Sequence, residues 1–179
     1  MKTMLTTAGS TILICGAVAM GGIELAITAE LGSGDQTAFT VIDFGATDGD
    51  VWAFSWSWTG VATTHDMLLA IESIGLTYEW TDWGSGFFVD NFEWGADAGN
   101  PDLYWAHSLG SIADSDPQWS PAWSGVDATM LSDGMISGWY NGFNEDFSPI
   151  PPSLPLIPAP SVLLMTALLA LPVTCRRRR

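Results

Sequence analysis

Two histidines, His65 and His107, and twenty Asp and Glu residues are the side chains whose types suit acid–base work or metal ligation. Their spacing supports little of either. No H-x-x-x-H or H-E-x-x-H pattern occurs, and two isolated histidines lack the clustered ligands of a zinc site. Acidic residues gather at Asp48/Asp50, Asp97/Asp102 and Asp114/Asp116. Calcium takes about six to eight oxygen ligands, so such stretches could contribute to a structural calcium site, although no complete EF-hand loop is present. Paired carboxylates are also all that glycoside hydrolysis needs, which keeps a secreted hydrolase among the readings. The two cysteines, Cys15 and Cys175, lie near the chain ends, so the region between them has neither a thiol nucleophile nor a disulfide. Neither a Gly-x-Ser-x-Gly elbow nor a phosphate-binding glycine loop occurs. No catalytic residue, metal ligand or cofactor is assigned on this basis.

Charge and aromatic content narrow the field further. The five basic residues are Lys2, Arg176, Arg177, Arg178 and Arg179, whereas every acidic residue lies between Glu24 and Asp146, for a net charge of -15 at pH 7. A nucleic-acid partner is excluded, because neutralising phosphates takes Lys and Arg. An acidic body of this kind attracts solvent cations and resists self-association at low salt. All ten tryptophans fall between Trp52 and Trp139. Tryptophan rings stack on sugars and other apolar ligands when they line a groove. Trp105, His107 and Trp139 are the candidate ligand-binding residues of a small-ligand or carbohydrate-binding module.

These side chains need a scaffold, and the hydrophobic pattern describes one. Residues 38–45 alternate as a strand, the Asp48-Gly49 step marks a turn, and residues 51–59 alternate strictly, with Trp52, Phe54, Trp56 and Trp58 on one face. Residues 64–74 read as the one helix of the body. Thr63 or Thr64 caps it, Asp66 stands in its first turn, Met67, Leu68, Ile71 and Ile74 form its apolar stripe, and Gly75 ends it. Strands are expected at 76–83, 87–94 and 103–108. A hairpin of 128–131 with 135–140 is expected around Asp133-Gly134. The order strand, strand, helix, strands describes an α+β fold. It reads as a single β-grasp-like domain, a mostly antiparallel sheet with one packed helix, between an N-terminal signal helix and a short C-terminal transmembrane helix; an all-β sandwich with one decorative helix is the alternative.

The chain ends read as targeting segments. Lys2, an apolar run at 11–20 and Ala17-Val18-Ala19 form a secretory signal, with a later cut after Ala29 as the other option; the signal peptide is drawn at 1–29. The acidic β-rich domain occupies 30–146. A proline-rich stretch at 147–160 reads as an extended, semi-rigid spacer. Residues 161–175 are uncharged and mostly apolar, and the arginine cluster follows, so that 161–179 reads as a sorting segment held in the membrane.

This tail, with Pro158, Ala159 and Pro160 ahead of the apolar stretch and Arg176, Arg177, Arg178 and Arg179 behind it, resembles the PEP-CTERM sorting signal of exported bacterial proteins. The resemblance covers about the last twenty-two residues, with Ala159 where the family motif carries Glu. It implies export through the inner membrane, a signal peptidase and an exosortase-type enzyme as processing partners, membrane association before processing, and a final place on the cell surface or outside the cell. A second resemblance lies in the body. Tyr104-Trp105-Ala106-His107-Ser108, then Trp119, Gly125, Ser132-Asp133-Gly134 and Gly138-Trp139-Tyr140, is similar in order to the transcobalamin C-terminal-like β-grasp domain. That resemblance implies a domain which, in its transcobalamin relatives, covers a corrinoid beside a helical companion domain. Together these features describe an exported, surface-sorted, non-enzymatic protein. A small-ligand or glycan-binding module is the alternative and a hydrolase the third reading.

Overall fold

A computed structural model describes residues 23–114 and 116–157. The strands are β1 (Ile27–Gly32), β2 (Gln36–Asp43), β3 (Val51–Trp58), β4 (Thr77–Asp82), β5 (Phe87–Trp94), β6 (Asp97–Ala98), β7 (Trp105–Ser111), β8 (Ser120–Pro121) and β9 (Met135–Asn141); the helix α1 spans Thr64–Glu72. The fold is mostly β with one helix, an α+β arrangement.

The alternating segment at 51–59 becomes β3, and it pairs antiparallel with β2 in a register that sets Ala38 opposite Trp56 and Ile42 opposite Trp52. The connection is longer than a two-residue turn. A 3-10 turn at Gly45–Thr47 precedes Asp48, which takes the left-handed conformation that Asp tolerates. The main sheet has the order β1-β3-β2-β9-β7-β8. It is mixed: β1 runs parallel to β3 and β9 parallel to β2, while the other neighbours are antiparallel. A second sheet, β4-β5-β6, is antiparallel throughout.

Both faces of the main sheet are covered, which explains why β2 is buried from Ala38 to Asp43. On one face, Ala38, Ile42, Phe44 and Phe54 pack with Met67, Leu68 and Ile71 of the helix and with Tyr78 and Phe92 of the small sheet. On the other, Phe39, Val41, Ala53 and Ile136 meet Ile23, Leu25, Ile112 and Leu154. The helix begins with the expected cap. Thr63 and Asp66 form a reciprocal capping box, with the Thr63 N–H donating to Asp66 Oδ2 at 2.8 Å. Its apolar stripe is shorter than the periodicity indicates, because the helix stops at Glu72 and Ile74 is exposed.

Three further expectations are corrected. Residues 128–131 do not pair with β9; β9 instead fills the gap between β2 and β7. The 128–131 segment docks on the helix start, where Thr64 N donates to Thr129 O at 2.8 Å and Leu131 N to Ala62 O at 2.9 Å. The boundary at residue 29 falls inside β1, and Ile23 and Leu25 ahead of it are buried. The described part of the proline stretch is no free spacer, since Pro152 is buried and Leu154 packs against the second core. Proline removes amide donors, and those that remain find acceptors on the body. Ser153 N donates to the buried Asp43 at 2.7 Å, and Ile157 N to Glu24 O at 3.2 Å; in return Ala26 N donates to Pro155 O at 2.6 Å. The two ends of the described chain therefore lie side by side, joined at a Leu25–Leu156 bridge.

Residues 1–22 and 158–179 lie outside the described residues, and with them the signal features, Pro158, Ala159, Pro160, the apolar tail and the four arginines. Among the described residues, no helix is long and apolar enough to cross a membrane.

Candidate functional site

Antiparallel pairing of β7 with β9 sets His107 opposite Trp139 and Trp105 opposite Asn141. Strand alternation puts Trp105 and His107 on one face of β7. Sequence position alone does not bring Trp105, His107 and Trp139 together; this register does, and all three line a single cavity of about 370 Å3.

The inner wall is nearly dry. The His107 and Trp139 rings lie flat on one another, with centroids 4.0 Å apart and planes 5° from parallel. Ser137 ties the two together. Trp139 Nε1 donates to Ser137 Oγ at 3.1 Å, and Ser137 Oγ shares a hydrogen with His107 Nε2 at 3.0 Å. Burial pushes the His107 pKa down to about 3, because a charged ring would lose its hydration there without a counter-charge. The ring is therefore neutral at neutral pH. Trp105 stands edge-on to Phe44 and Phe92, at centroid separations of 5.5 Å and 5.0 Å, and its buried Nε1 takes no hydrogen-bond partner.

Two loops complete the cavity. The loop after β8 contributes Ala122, Trp123, Ser124 and Val126. It is fastened to the start of β5: Val126 N donates to Phe87 O at 2.9 Å, and Phe87 N to Asp127 Oδ1 at 2.7 Å. The chains approach so closely that a Cβ on Gly125 would lie 2.6 Å from Phe87 N, so only glycine fits. The loop after β9 closes on itself through a Phe143–Pro149 bridge. Inside it, Asp146 Oδ1 accepts from Ser148 N at 3.0 Å and from Ser148 Oγ at 2.6 Å, bonds that hold the Asp146 carboxyl below the usual range. Phe147 at its tip has φ of 62°, an uncommon conformation for an aromatic residue. Backbone strain of this kind persists only where its surroundings enforce it.

The rim is aromatic and wet. Tyr104 is 80% exposed, Phe147 79%, Trp123 71% and Phe88 39%. Exposed aromatics gathered around one cavity form a patch that solvent alone does not favour. Eight of the fourteen lining residues are aromatic, and none is Asp, Glu, Asn, Gln, Lys or Arg. Such a lining suits a ligand held by ring contact. It offers few groups for the many hydroxyls of a sugar.

Tyr104, Trp123, Phe143 and Phe147 join the candidates Trp105, His107 and Trp139 only in the structure. Their signal is weak, because each stands in a loop where no periodicity marks an inward or outward side. The other histidine is elsewhere: His65 Nδ1 shares a hydrogen with Tyr78 OH at 2.8 Å, and its ring stands edge-on to those of Trp80 and Phe87. Burial, with Glu72 and Asp127 adding to it, raises the Tyr78 pKa well above the usual phenol value. Among the described residues, no three His, Cys, Asp or Glu side chains gather into a group that could hold a metal. Of the acidic stretches, Asp97 ties two distant parts of the chain together, its Oδ2 accepting from Trp52 Nε1 at 2.8 Å. No protein-family model matches the chain, and neither a curated protein nor a solved structure matches it.

Proposed function

We propose that this chain is an exported envelope protein whose β-rich body is a non-enzymatic binding module for a small, largely apolar ligand. The observation that carries the binding reading is the aromatic cavity, with Trp105, His107 and Trp139 in its wall. Its volume falls at the lower end of the range for drug-sized ligands, about 300–1,000 Å3. A corrin macrocycle with its substituents is too large for it, and a glycan would meet too few hydrogen-bonding groups. The non-enzymatic reading is supported by the chemistry of the lining, which has no carboxylate pair, thiol or lysine, and a histidine kept neutral by burial. A β-grasp-like fold is supported by the strand order β3-β2-β9-β7. A hairpin leads through a crossing helix to a last strand that returns parallel beside the first.

Export rests on the two ends of the sequence, a signal-like start and a tail that resembles the PEP-CTERM signal. Signal peptidase and an exosortase-type enzyme are the processing partners on this reading. The membrane holds the chain through residues 161–179 until the tail is cut, and the cell surface or medium is its destination. The fold favours a cut after Ala19 over one after Ala29, because the former leaves Ile23, Leu25 and β1 whole.

The binding reading is tested with the purified full chain and N-phenyl-1-naphthylamine, a neutral probe that brightens in apolar sites. Saturable brightening that weakens in Trp123→Ala is expected; no saturable signal overturns the reading. The export reading is tested by intact mass and N-terminal sequence of the protein recovered from its own envelope and medium. Loss of both ends is the expected result, and an uncut chain overturns it.

A further inference from the structure

We propose that the cavity takes a free small organic cation with an apolar shell, of the quaternary ammonium type, held by the π-faces of its rim. This deepens the binding reading given above and rests on it. Three features converge. The wall is built from rings, with Tyr104, Trp123, Phe88 and Phe147 at the mouth. Aromatic rings carry negative charge on their faces, and a cation held over them gains most when it is desolvated. A quaternary ammonium has no N–H to strand and is easier to desolvate than an ammonium that has one, so the shortage of hydrogen-bonding groups in the wall does not count against it.

Charge is the second feature. Positions 24–146 hold twenty carboxylates and no Lys or Arg, so nothing there repels a cation. Asp127 and Asp146 are the chain neighbours of the lining residues Val126 and Phe147, and Asp127 Oδ1 accepts from the N–H of the lining residue Phe87. The net charge of -15 disfavours an anionic ligand of equal size. Third, the histidine in the wall adds no positive charge, since its ring is buried and stacked on Trp139. A free ligand is favoured over a lipid headgroup, because an anionic bilayer surface repels a body of this charge.

The test compares choline with 3,3-dimethylbutan-1-ol, its neutral isostere, by titration into the purified full chain. Measurements are made at low salt and at about 1 M NaCl, where the Debye length shrinks to about 3 Å and long-range attraction is screened. Choline is expected to bind about tenfold tighter than the isostere. The preference should survive in salt and shrink in Trp123→Leu, which keeps apolar bulk but removes one ring from an exposed position. Equal affinities, or a preference that vanishes in salt, overturn the cation proposal and leave the apolar binding module standing. So does capture on phosphatidylcholine vesicles without affinity for free choline. If neither ligand binds while N-phenyl-1-naphthylamine does, the cation proposal alone falls; if none of the three binds, both readings fall.

Discussion

Burial of His107 makes the stability of the body depend on pH in the acid range. In the folded state burial holds its ring down to about 3, and burial is the one cause acting on it. In the unfolded chain the ring titrates at its ordinary value of about 6.5. Between these two values the unfolded state binds a proton that the folded state refuses. Stability therefore falls as pH falls through this window, and above it the ring contributes no pH dependence. The slope is about 1.4 kcal/mol per pH unit, which amounts to about 2 kcal/mol from about pH 6.5 to pH 5. The informative variant is His107→Phe. It keeps a flat ring against Trp139, removes the titrating nitrogen, and deprives the Ser137 hydroxyl of its Nε2 partner. That lost partner destabilises the variant by about 1–3 kcal/mol at neutral pH. On acidification the wild type should lose about 2 kcal/mol relative to the variant by about pH 5, so the gap between the two narrows or closes. Urea unfolding followed by tryptophan fluorescence, at several pH values and one ionic strength, measures the gap while the carboxylates behave alike in both proteins. A gap that stays constant across the window refutes the account of a neutral buried ring.

Three more outcomes are expected. Asp43→Ala strands the amides of Gly45 and Ser153. It should cost about 1–3 kcal/mol for each amide that water does not reach, and hydrogen exchange at Ser153 and Ile157 should rise well before that of β2. A chain beginning at Glu30 loses Ile23, Leu25 and half of β1, and should melt far below one beginning at Met20, since each buried aliphatic side chain is worth about 1.5–3 kcal/mol; equal melting temperatures would show that the segment ahead of Glu30 does not belong to the core. A Cβ added at Gly138 would lie 2.6 Å from Pro152 Cγ and from Trp119 Cζ3. Gly138→Ala should therefore destabilise by about 1–3 kcal/mol through overpacking, read as a lower urea midpoint at an unchanged m value.

The parts of the fold that alternation and capping encode were legible in the sequence. The β2–β3 pair, the helix start at Thr63 and β5 each carry a local pattern that only one secondary structure satisfies. The pairing of β9 between β2 and β7 was not legible, because parallel neighbours far apart in sequence leave no local trace, and Asp133-Gly134 looks the same whether it closes a hairpin or leads into a strand. β1 was hidden by its own composition, since Ile27, Ala29 and Leu31 match the apolar, small-residue run of a secretory signal. The proline stretch misled in the opposite direction. Prolines do make it extended, but Leu154 gives it a reason to lie down on the sheet. At the site, Trp105, His107 and Trp139 could be named because they stand on strands. The rim residues Tyr104, Trp123 and Phe147 stand on loops, where tertiary contacts decide what faces the cavity.

The meeting of the two ends at Leu25 and Leu156 also has a mechanical side. A pull on Ile157 is borne first by its own bond to Glu24 and by the bond from Ala26 to Pro155, loaded one after the other. The ladders of β2, β3 and β9 feel it only after those bonds and the Ser153–Asp43 contact have parted. The junction works as a fuse: a tether attached there can be tugged and its strap peeled away while the sheet, and the cavity built on β7 and β9, keep their shape.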